Sequence, residues 1–258
     1  MVYLTSMLYW YPKIKNLAIP QPKTRMYKLT EHELKIFYNE EFPPTLRNNI
    51  KSIISEFSYP LFIRTDFASG KHGWEETCFI ENEEKLFRNI FEVVVENLIA
   101  DLFGLPFEGL VFREYIPLEA GFKAFYGNMP VAKERRYFIN NKQIQCFHPY
   151  WPKDAIRTPD NEDWEKIIEE QNKETEEEIE LLSKYALMVG EVLDGYWSVD
   201  FAYGQDKKWY LIDCAEGDRS YHWLDCEFCP EEMRKKYQRI NEQFNKEEST
   251  NIKRLFEN

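Results

Sequence analysis

The stretch Trp197–Asp218, WSVDFAYGQDKKWYLIDCAEGD, constrains the fold more than any other part of the chain. Val199, Phe201 and Tyr203 alternate with Asp200 and Ala202, the period-two pattern of a half-buried strand. Trp209, Leu211 and Cys214 mark a second apolar run, and Gly204-Gln205-Asp206-Lys207 between the two is turn chemistry. The whole reads as a β-hairpin with one carboxylate per strand, Asp200 and Asp213. Pairing symmetric about the turn places both on neighbouring strands, close enough to hold one hard cation. Mg²⁺ suits such a pair, because it takes oxygen ligands from one or two carboxylates and from nucleotide phosphates. The plain alternative is two surface aspartates on an ordinary hairpin. Against it, Asp213 follows directly on Trp209-Tyr210-Leu211-Ile212, and a buried carboxylate needs a partner or an ion.

A chain of 258 residues, 43% hydrophobic and 16% aromatic, can bury one large core or two small lobes. No apolar run approaches the roughly 20 residues of a membrane span. Met1 to Tyr11 is apolar but lacks a basic start and a small-residue cleavage site, so a buried first strand is expected rather than a signal peptide. Five cysteines, an odd number, do not form a disulfide framework, which points to a reducing, intracellular (cytoplasmic) setting. Cys226-x-x-Cys229, with Cys214 and His222 nearby, admits a zinc site as well as two buried thiols. The net charge of −12 argues against non-specific binding to a phosphate backbone but allows a local basic cleft. Oligomeric state is left open.

Along the chain, residues 1–18 suggest one or two apolar strands, and Ile19-Pro20-Gln21-Pro22-Lys23-Thr24 an extended connector. Thr30-Glu31-His32-Glu33 is a capping box for a short helix to Tyr38, and Pro43-Pro44-Thr45 opens another through Ile50, Ile53, Ile54 and Phe57. An apolar strand then ends on Arg64, and a loop with Gly70 and Gly73 presents Lys71. Glycine-flanked amides plus a lysine can cradle phosphate, although the GK[ST] spacing of a Walker loop is absent. Cys78-Phe79-Ile80 returns as a strand, and Asn82 caps a helix through Leu98. Leu110–Ile116 is a strand stopped by Pro117, and Arg135 to Ile139 pairs with Gln143 to Tyr150 in a hairpin. Asn161 to Leu193 is helical, its acidic middle read as a solvated face. Glu231 to Asn258 is a charged helical tail that can dock through Tyr237, Ile240 and Phe244.

Four of these pieces fall in a familiar order, and the chain resembles the ATP-grasp superfamily. Ile19–Thr24 looks like the connector before the nucleotide-binding lobe. Arg64 and the Gly70-Lys71 loop are similar to the cationic strand and the flexible phosphate-covering loop. Phe112-Arg113-Glu114-Tyr115-Ile116 resembles the hinge strand, whose backbone at Glu114 and Ile116 would meet adenine; Asp200 and Asp213 resemble the paired metal carboxylates. Two relatives are similar: the phage-associated clade with an arginine on the first strand, proposed to include RNA and peptide ligases, and the eukaryotic cell-division-cycle chaperone of translation initiation factor two. To the chaperone the likeness is at Leu110–Arg113, Glu134-x-Arg136-x-Phe138 and Trp209-x-Leu211-Ile212-Asp213. The family's third metal ligand, an asparagine two residues after the second acid, is Ala215 here, so Glu216 or Asp218 would have to stand in.

The resemblance implies an α+β ATP-grasp fold of two antiparallel lobes around a nucleotide cleft. Residues 1–109 would form the N-terminal region and first lobe, 110–229 the second lobe with the metal hairpin, and 230–258 the tail. ATP and Mg²⁺ are the implied cofactors. Arg64, Lys71 and Arg136 would surround the triphosphate, Asp200, Asp213 and Glu216 would hold the metal, and Glu119 would reach the ribose. Phosphoryl transfer needs positioning and charge neutralisation more than covalent chemistry, so Lys71 and Arg136 are the catalytic candidates. The implied activity is ATP-dependent ligation, on RNA ends or between a carboxylate and an amine; the alternative is a non-catalytic ATP-binding chaperone with a protein partner. His72, His148 and His222 are candidate acid–base groups. Glu119 to Lys133 reads as an insertion over the cleft, either a lid selecting the acceptor or a hairpin that thickens the second lobe.

Overall fold

The structure, a computed structural model, describes residues 3–37, 42–101, 107–237 and 239. The first 114 residues give α1 (Met7–Ile14), β1 (Thr24–Lys28), α2 (Glu31–Phe37), α3 (Pro44–Ile54), β2 (Leu61–Thr65), β3 (Phe79–Ile80), α4 (Leu86–Asp101) and β4 (Gly109–Glu114). There follow β5 (Ala120–Ala124), β6 (Met129–Ala132), β7 (Glu134–Asn140) and β8 (Gln143–Pro149). The chain continues through α5 (Trp164–Gln171), α6 (Glu176–Gly190), β9 (Tyr196–Tyr203) and β10 (Trp209–Glu216). All strand pairs within the sheets are antiparallel, in two four-stranded sheets, β1-β4-β2-β3 and β10-β9-β7-β8, and a two-stranded β5-β6.

Alternation decides what each sheet face carries. In the first sheet Leu61, Ile63, Leu110 and Phe112 turn to α3 and α4 and join Ile50, Ile90 and Val94 in a buried core. The opposite face carries Phe62 and Arg64 on β2 beside Arg113 and Val111 on β4. In the second sheet Tyr137, Ile139, Val199, Phe201 and Leu211 pack with Leu182, Ala186 and Val189 of α6. Its other face carries Glu134, Arg136 and Phe138 opposite Ala202, Asp200 and Ser198. The two charged faces enclose the site.

Several local expectations hold. The capping box closes at α2: the Thr30 N–H donates to Glu33 Oε2 at 2.9 Å, and the Glu33 N–H donates to Thr30 Oγ1 at 3.2 Å. Asn82 accepts the Glu84 N–H ahead of α4. The N-terminal strand is a correction: residues 7–14 form a helix, capped by Ser6, whose side chain accepts the Leu8 N–H. Met7, Trp10 and Ile14 recur at helical spacing and are fully buried against the second sheet's core. An uninterrupted apolar run satisfies both periods, and the cap decides between them.

The boundary expected at 109/110 is also displaced. β4 is an interior strand of the first sheet, and α1 packs on the core of the second. After β4 the chain bridges to the β9–β10 turn at Leu118–Gly204. The acidic run before α6 is not merely a solvated face. Glu178 and Glu174 lie 2.6 and 3.4 Å from the fully buried Arg135, and Glu178 also pairs with Lys133. Such a buried guanidinium needs these partners.

The Glu119–Lys133 segment is a packed hairpin. Phe122, Phe125, Met129 and Val131 are buried with Trp151, Ile156 and Ile168. The structure thus favours the thickening hairpin over a free lid. Residues 231–237 are helical, and the Tyr237 ring meets Tyr221 edge-on at 4.7 Å. Ile240 and Phe244 lie outside the described residues. No helix among the described residues is long and apolar enough to cross a membrane.

Candidate nucleotide cleft and acceptor pocket

Between the two sheets lies a cleft enclosing about 620 Å³ of space open to solvent. Its walls are mostly apolar: Phe62 and Trp74 from the first lobe, Met129 and Ile212 from the second, and Glu114-Tyr115-Ile116 joining them. Trp74 stacks on Phe79 at 5.7 Å, and Phe79 meets Tyr115 edge-on at 5.1 Å, so the slot is walled by held rings. A flat apolar slot beside backbone polar groups suits a purine. The Glu114 N–H is already given to the Lys23 carbonyl. Glu119 is not brought to the cleft; its carboxylate is on the surface, paired with Lys207.

Polar groups converge at the inner end. Lys71, Arg113 and Glu134 line the cleft. Lys71 Nζ lies 3.8 Å from Glu134 Oε2 and 4.1 Å from the Tyr150 ring centroid. Burial alone would lower the Lys71 pKa, but Glu134, Tyr150 and Asp200 outweigh it and hold the ammonium above its ordinary range. Burial also raises the Glu134 carboxyl, more than Lys71 lowers it. Trp151 Nε1 donates to Glu134 Oε1 at 3.0 Å, while Oε2 is buried with no hydrogen bond.

Asp200 and Asp213 are each held by an arginine. Arg136 grips Asp200 with two hydrogen bonds of 2.7 Å, and Arg64 Nη1 donates to Asp213 Oδ2 at 2.8 Å. The Arg136–Asp200 pair is the bidentate geometry in which charge-assisted bonds are strongest. Burial opposes the Arg136 charge, and Asp200 reverses that and raises the guanidinium.

Asp200 and Asp213 are direct cross-strand partners, but the pairing is not symmetric about the turn. Trp209 faces Tyr203 and Leu211 faces Phe201; continued, that register would set Asp213 against Val199, on the core face. A β-bulge between Leu211 and Asp213 shifts it by one residue and turns Asp213 to the cleft. The Ile212 carbonyl set at the bulge accepts Arg113 Nη1 at 2.6 Å.

The donor set fits Mg²⁺: two carboxylates on one face, each with lone pairs beyond those its arginine uses. Asp213, 32% exposed, is the accessible one; Asp200, at 7%, is covered by Arg136. Glu216 is not brought to this pair. Alternation from Asp213 puts it on the opposite face, and its carboxylate accepts the Thr5 hydroxyl at 3.0 Å.

The Lys71 loop is tied down at both ends. Gly70 is left-handed at φ 58°, and its carbonyl accepts the Thr77 hydroxyl at 2.6 Å. The tip of the β5–β6 hairpin clamps the other side: the Gly127 N–H donates to the His72 carbonyl at 2.9 Å, and the Glu75 N–H to the Gly127 carbonyl at 3.3 Å. The Gly73 N–H donates to the Gly70 carbonyl. The loop therefore presents the Lys71 ammonium, with the Gly73 amide engaged within the loop and the Glu75 amide engaged by the hairpin tip.

Beyond Tyr150 lies a second pocket, with Arg136 in its lining and rings on its walls: His72, Phe125, Trp151, Tyr221 and Tyr237. His72 stacks on Phe125 at 4.2 Å, and the Arg136 guanidinium lies 4.6 Å from the Tyr150 centroid. Tyr150 thus contacts both Lys71 and Arg136. His148 and His222 are buried away from both hollows, and burial pushes each to a pKa of about 4. The sequence reading did not single out Glu134, Trp74, Tyr150 or Trp151 as site residues. Glu134 was findable, since it precedes Arg136 by two residues on one strand and so shares its face.

Two antiparallel sheets closing on such a cleft, with cations and paired carboxylates at its inner end, define an ATP-grasp domain. The family model described as an ATP-grasp domain, clade family 3, matches residues 49–227, and the chain belongs to that family. No curated protein matches the sequence. Among solved structures the chain is similar to C-terminally truncated Cdc123 from Schizosaccharomyces pombe, at 16% identity and a TM-score of 0.58, covering 88% of this chain and 91% of that one. Full Cdc123 from the same organism gives 17% and 0.55, covering 89% and 92%. A RimK domain ATP-grasp protein from Sphaerobacter thermophilus gives 14% and 0.45, covering 83% and 60%. At these identities the likeness to Cdc123 speaks for the fold.

Proposed function

We propose that the protein is an ATP- and Mg²⁺-dependent ligase whose acceptor lies in the aromatic pocket, with RNA ends as the acceptor class. The observation that carries this reading is the placement of Tyr150. Its ring meets both cations: Lys71, which lines the cleft, lies 4.1 Å from the ring centroid, and the Arg136 guanidinium, which lines the pocket, lies 4.6 Å from it. The terminal phosphate of a nucleotide in the cleft would come to these two cations, and an acceptor in the pocket would meet it there. Rings and arginines together suit single-stranded nucleic acid, since every base offers a face for stacking.

In this reading Glu114-Tyr115-Ile116 and Trp74 hold the base. Lys71, Arg113 and Arg64 compensate phosphate charge, and Asp213 and Asp200 would hold Mg²⁺. When bound, the ion would supply charge neutralisation to the phosphates. Arg136 neutralises charge developing at the transferred group, where a fixed donor needs no reorganisation. ATP would activate the acceptor as a phosphate adduct with release of ADP, or as a nucleotidyl adduct with release of pyrophosphate, and a nucleophile on the second substrate would then displace phosphate or AMP. Arg64 and Arg136 already neutralise both carboxylates, which also supports a second reading, an ATP-binding assembly factor that turns over slowly.

The test is ATP consumption with defined acceptors: phosphorylated and hydroxyl-ended RNA oligonucleotides, and a carboxylate with an amine. RNA joining with ADP or AMP release, lost in Lys71→Ala, supports the proposal. ADP formation with the carboxylate and amine alone keeps the ligase and moves the acceptor. ATP binding without turnover on any acceptor favours the assembly factor and rejects the ligase.

A further inference from the structure

A second group of ligating side chains lies further along the same sheet face. Cys146 on β8 pairs with Phe138, two residues beyond Arg136 on β7. The ligand atoms of Cys146, His222 and Cys226 all lie within 4.8 Å of one another. Cys146 Sγ is 3.8 Å from His222 Nδ1. Tetrahedral Zn²⁺, with Zn–S about 2.3 Å and Zn–N about 2.0–2.1 Å, separates such atoms by about 3.6 Å.

The histidine is held as a ligand would be. Its ring is fully buried and stacked on Phe138 at 3.5 Å between centroids. Nε2 lies 2.8 Å from the Tyr196 hydroxyl, so the nitrogen turned toward Cys146 is Nδ1. An outer partner on the second nitrogen is what fixes ring and tautomer in metal-ligating histidines. Cys226 begins a Cys-x-x-Cys turn, in which the Cys229 N–H donates to the Cys226 carbonyl at 3.0 Å. Cys229 is buried, its thiol 3.8 Å from the Pro230 carbonyl. Thiolates with an imidazole select a soft or borderline ion rather than Mg²⁺.

We propose that Cys146, His222 and Cys226 bind one structural Zn²⁺, with Cys229 turning in as the fourth ligand. The ion would fasten together β8, the chain after β10 and the 226–229 turn, reinforcing the Cys226 N–H to Trp223 carbonyl bond of 3.1 Å. Tyr221, next to His222, gives its carbonyl to Arg136 Nη1 at 3.2 Å and its ring to Tyr237. The metal would thereby hold one wall of the aromatic pocket and one contact of Arg136. The inference does not depend on what the ATP cleft catalyses.

The experiment is elemental analysis of protein produced with zinc in the medium and purified without chelators. The expected result is about one zinc per chain, falling to near zero in Cys146→Ser and Cys226→Ser but not in Cys78→Ser, whose thiol lies in the other sheet's core. A serine variant can fail to fold, so the wild-type chain is also stripped and titrated with Zn²⁺ and Co²⁺. A rise in Tm at equimolar Zn²⁺ and the visible bands of tetrahedral, thiolate-ligated Co²⁺ are expected. Wild-type protein that carries no zinc and shows neither response overturns the proposal, as does a Cys146–Cys226 disulfide in freshly purified chain.

Discussion

Arg136 and Asp200 are both nearly buried, and each is compensated chiefly by the other. Removing one member of such a pair strands the other charge, at a cost of about 3–5 kcal/mol. Arg136→Ala is therefore expected to lower the free energy of urea unfolding by about that amount, and adding Asp200→Asn should restore part of it. Purely additive effects in this double-mutant cycle would show that the pair is not coupled. Glu134 behaves oppositely. Burial raises its carboxyl, so the folded chain holds that proton more tightly than the unfolded one. Its charge costs stability at neutral pH, and the cost fades as pH falls through the raised value toward the ordinary 4.5. Glu134→Gln keeps an acceptor for Trp151 and drops the charge. At pH 7 it should be at least as stable as wild type, with wild type gaining on it as pH is lowered to 4.5. A variant clearly less stable at pH 7 would show that the Lys71 pair outweighs burial.

The hairpin β5–β6 acts as a clamp on the Lys71 loop, and Gly127 is where the two touch. A Cβ there would sit 2.2 Å from the Gly73 carbonyl carbon and 2.4 Å from its oxygen, both backbone atoms that cannot swing aside. Gly127→Ala should thus push the loop off the hairpin tip. ATP affinity is expected to fall markedly while cooperative unfolding survives, because the hairpin's buried residues Phe122, Met129 and Val131 are untouched. Unchanged affinity would mean that the clamp does not position Lys71. The β9–β10 hairpin shows how far an element can be read from its letters. Alternation around Gly204–Lys207 reveals the strands, the turn and the two acids. It does not reveal the bulge at Ile212, on which the facing of Asp213 depends, since a one-residue register shift exchanges the faces. The helix at residues 7–14 escaped for a related reason, its apolar run obscuring the period that Ser6 resolves.

At the scale of the whole molecule, the order of the pieces was legible in the sequence: cationic strand, lysine loop, hinge strand, arginine strand and acidic hairpin. Their allotment to lobes was not, because β4 follows α4 in the chain yet pairs between β1 and β2, a long-range choice that local pattern does not encode. The aromatic pocket was equally hidden, since His72, Phe125, Tyr150, Tyr221 and Tyr237 are far apart in sequence and meet only in the fold. The central claim is that the cleft between the sheets binds ATP together with Mg²⁺ held at Asp213. Thermal unfolding with ATP, Mg²⁺, both or neither, on wild type and Asp213→Asn, tests it most directly. Ligand at 100 times its Kd adds about 2.7 kcal/mol of stability. For a chain of this size that is about 5–10 °C in Tm. The expected result is a rise of that order in wild type with ATP and Mg²⁺ together, and a much smaller one with ATP alone or in Asp213→Asn. No rise at millimolar ATP and Mg²⁺, or the same rise without the metal or without the Asp213 carboxylate, would contradict the account.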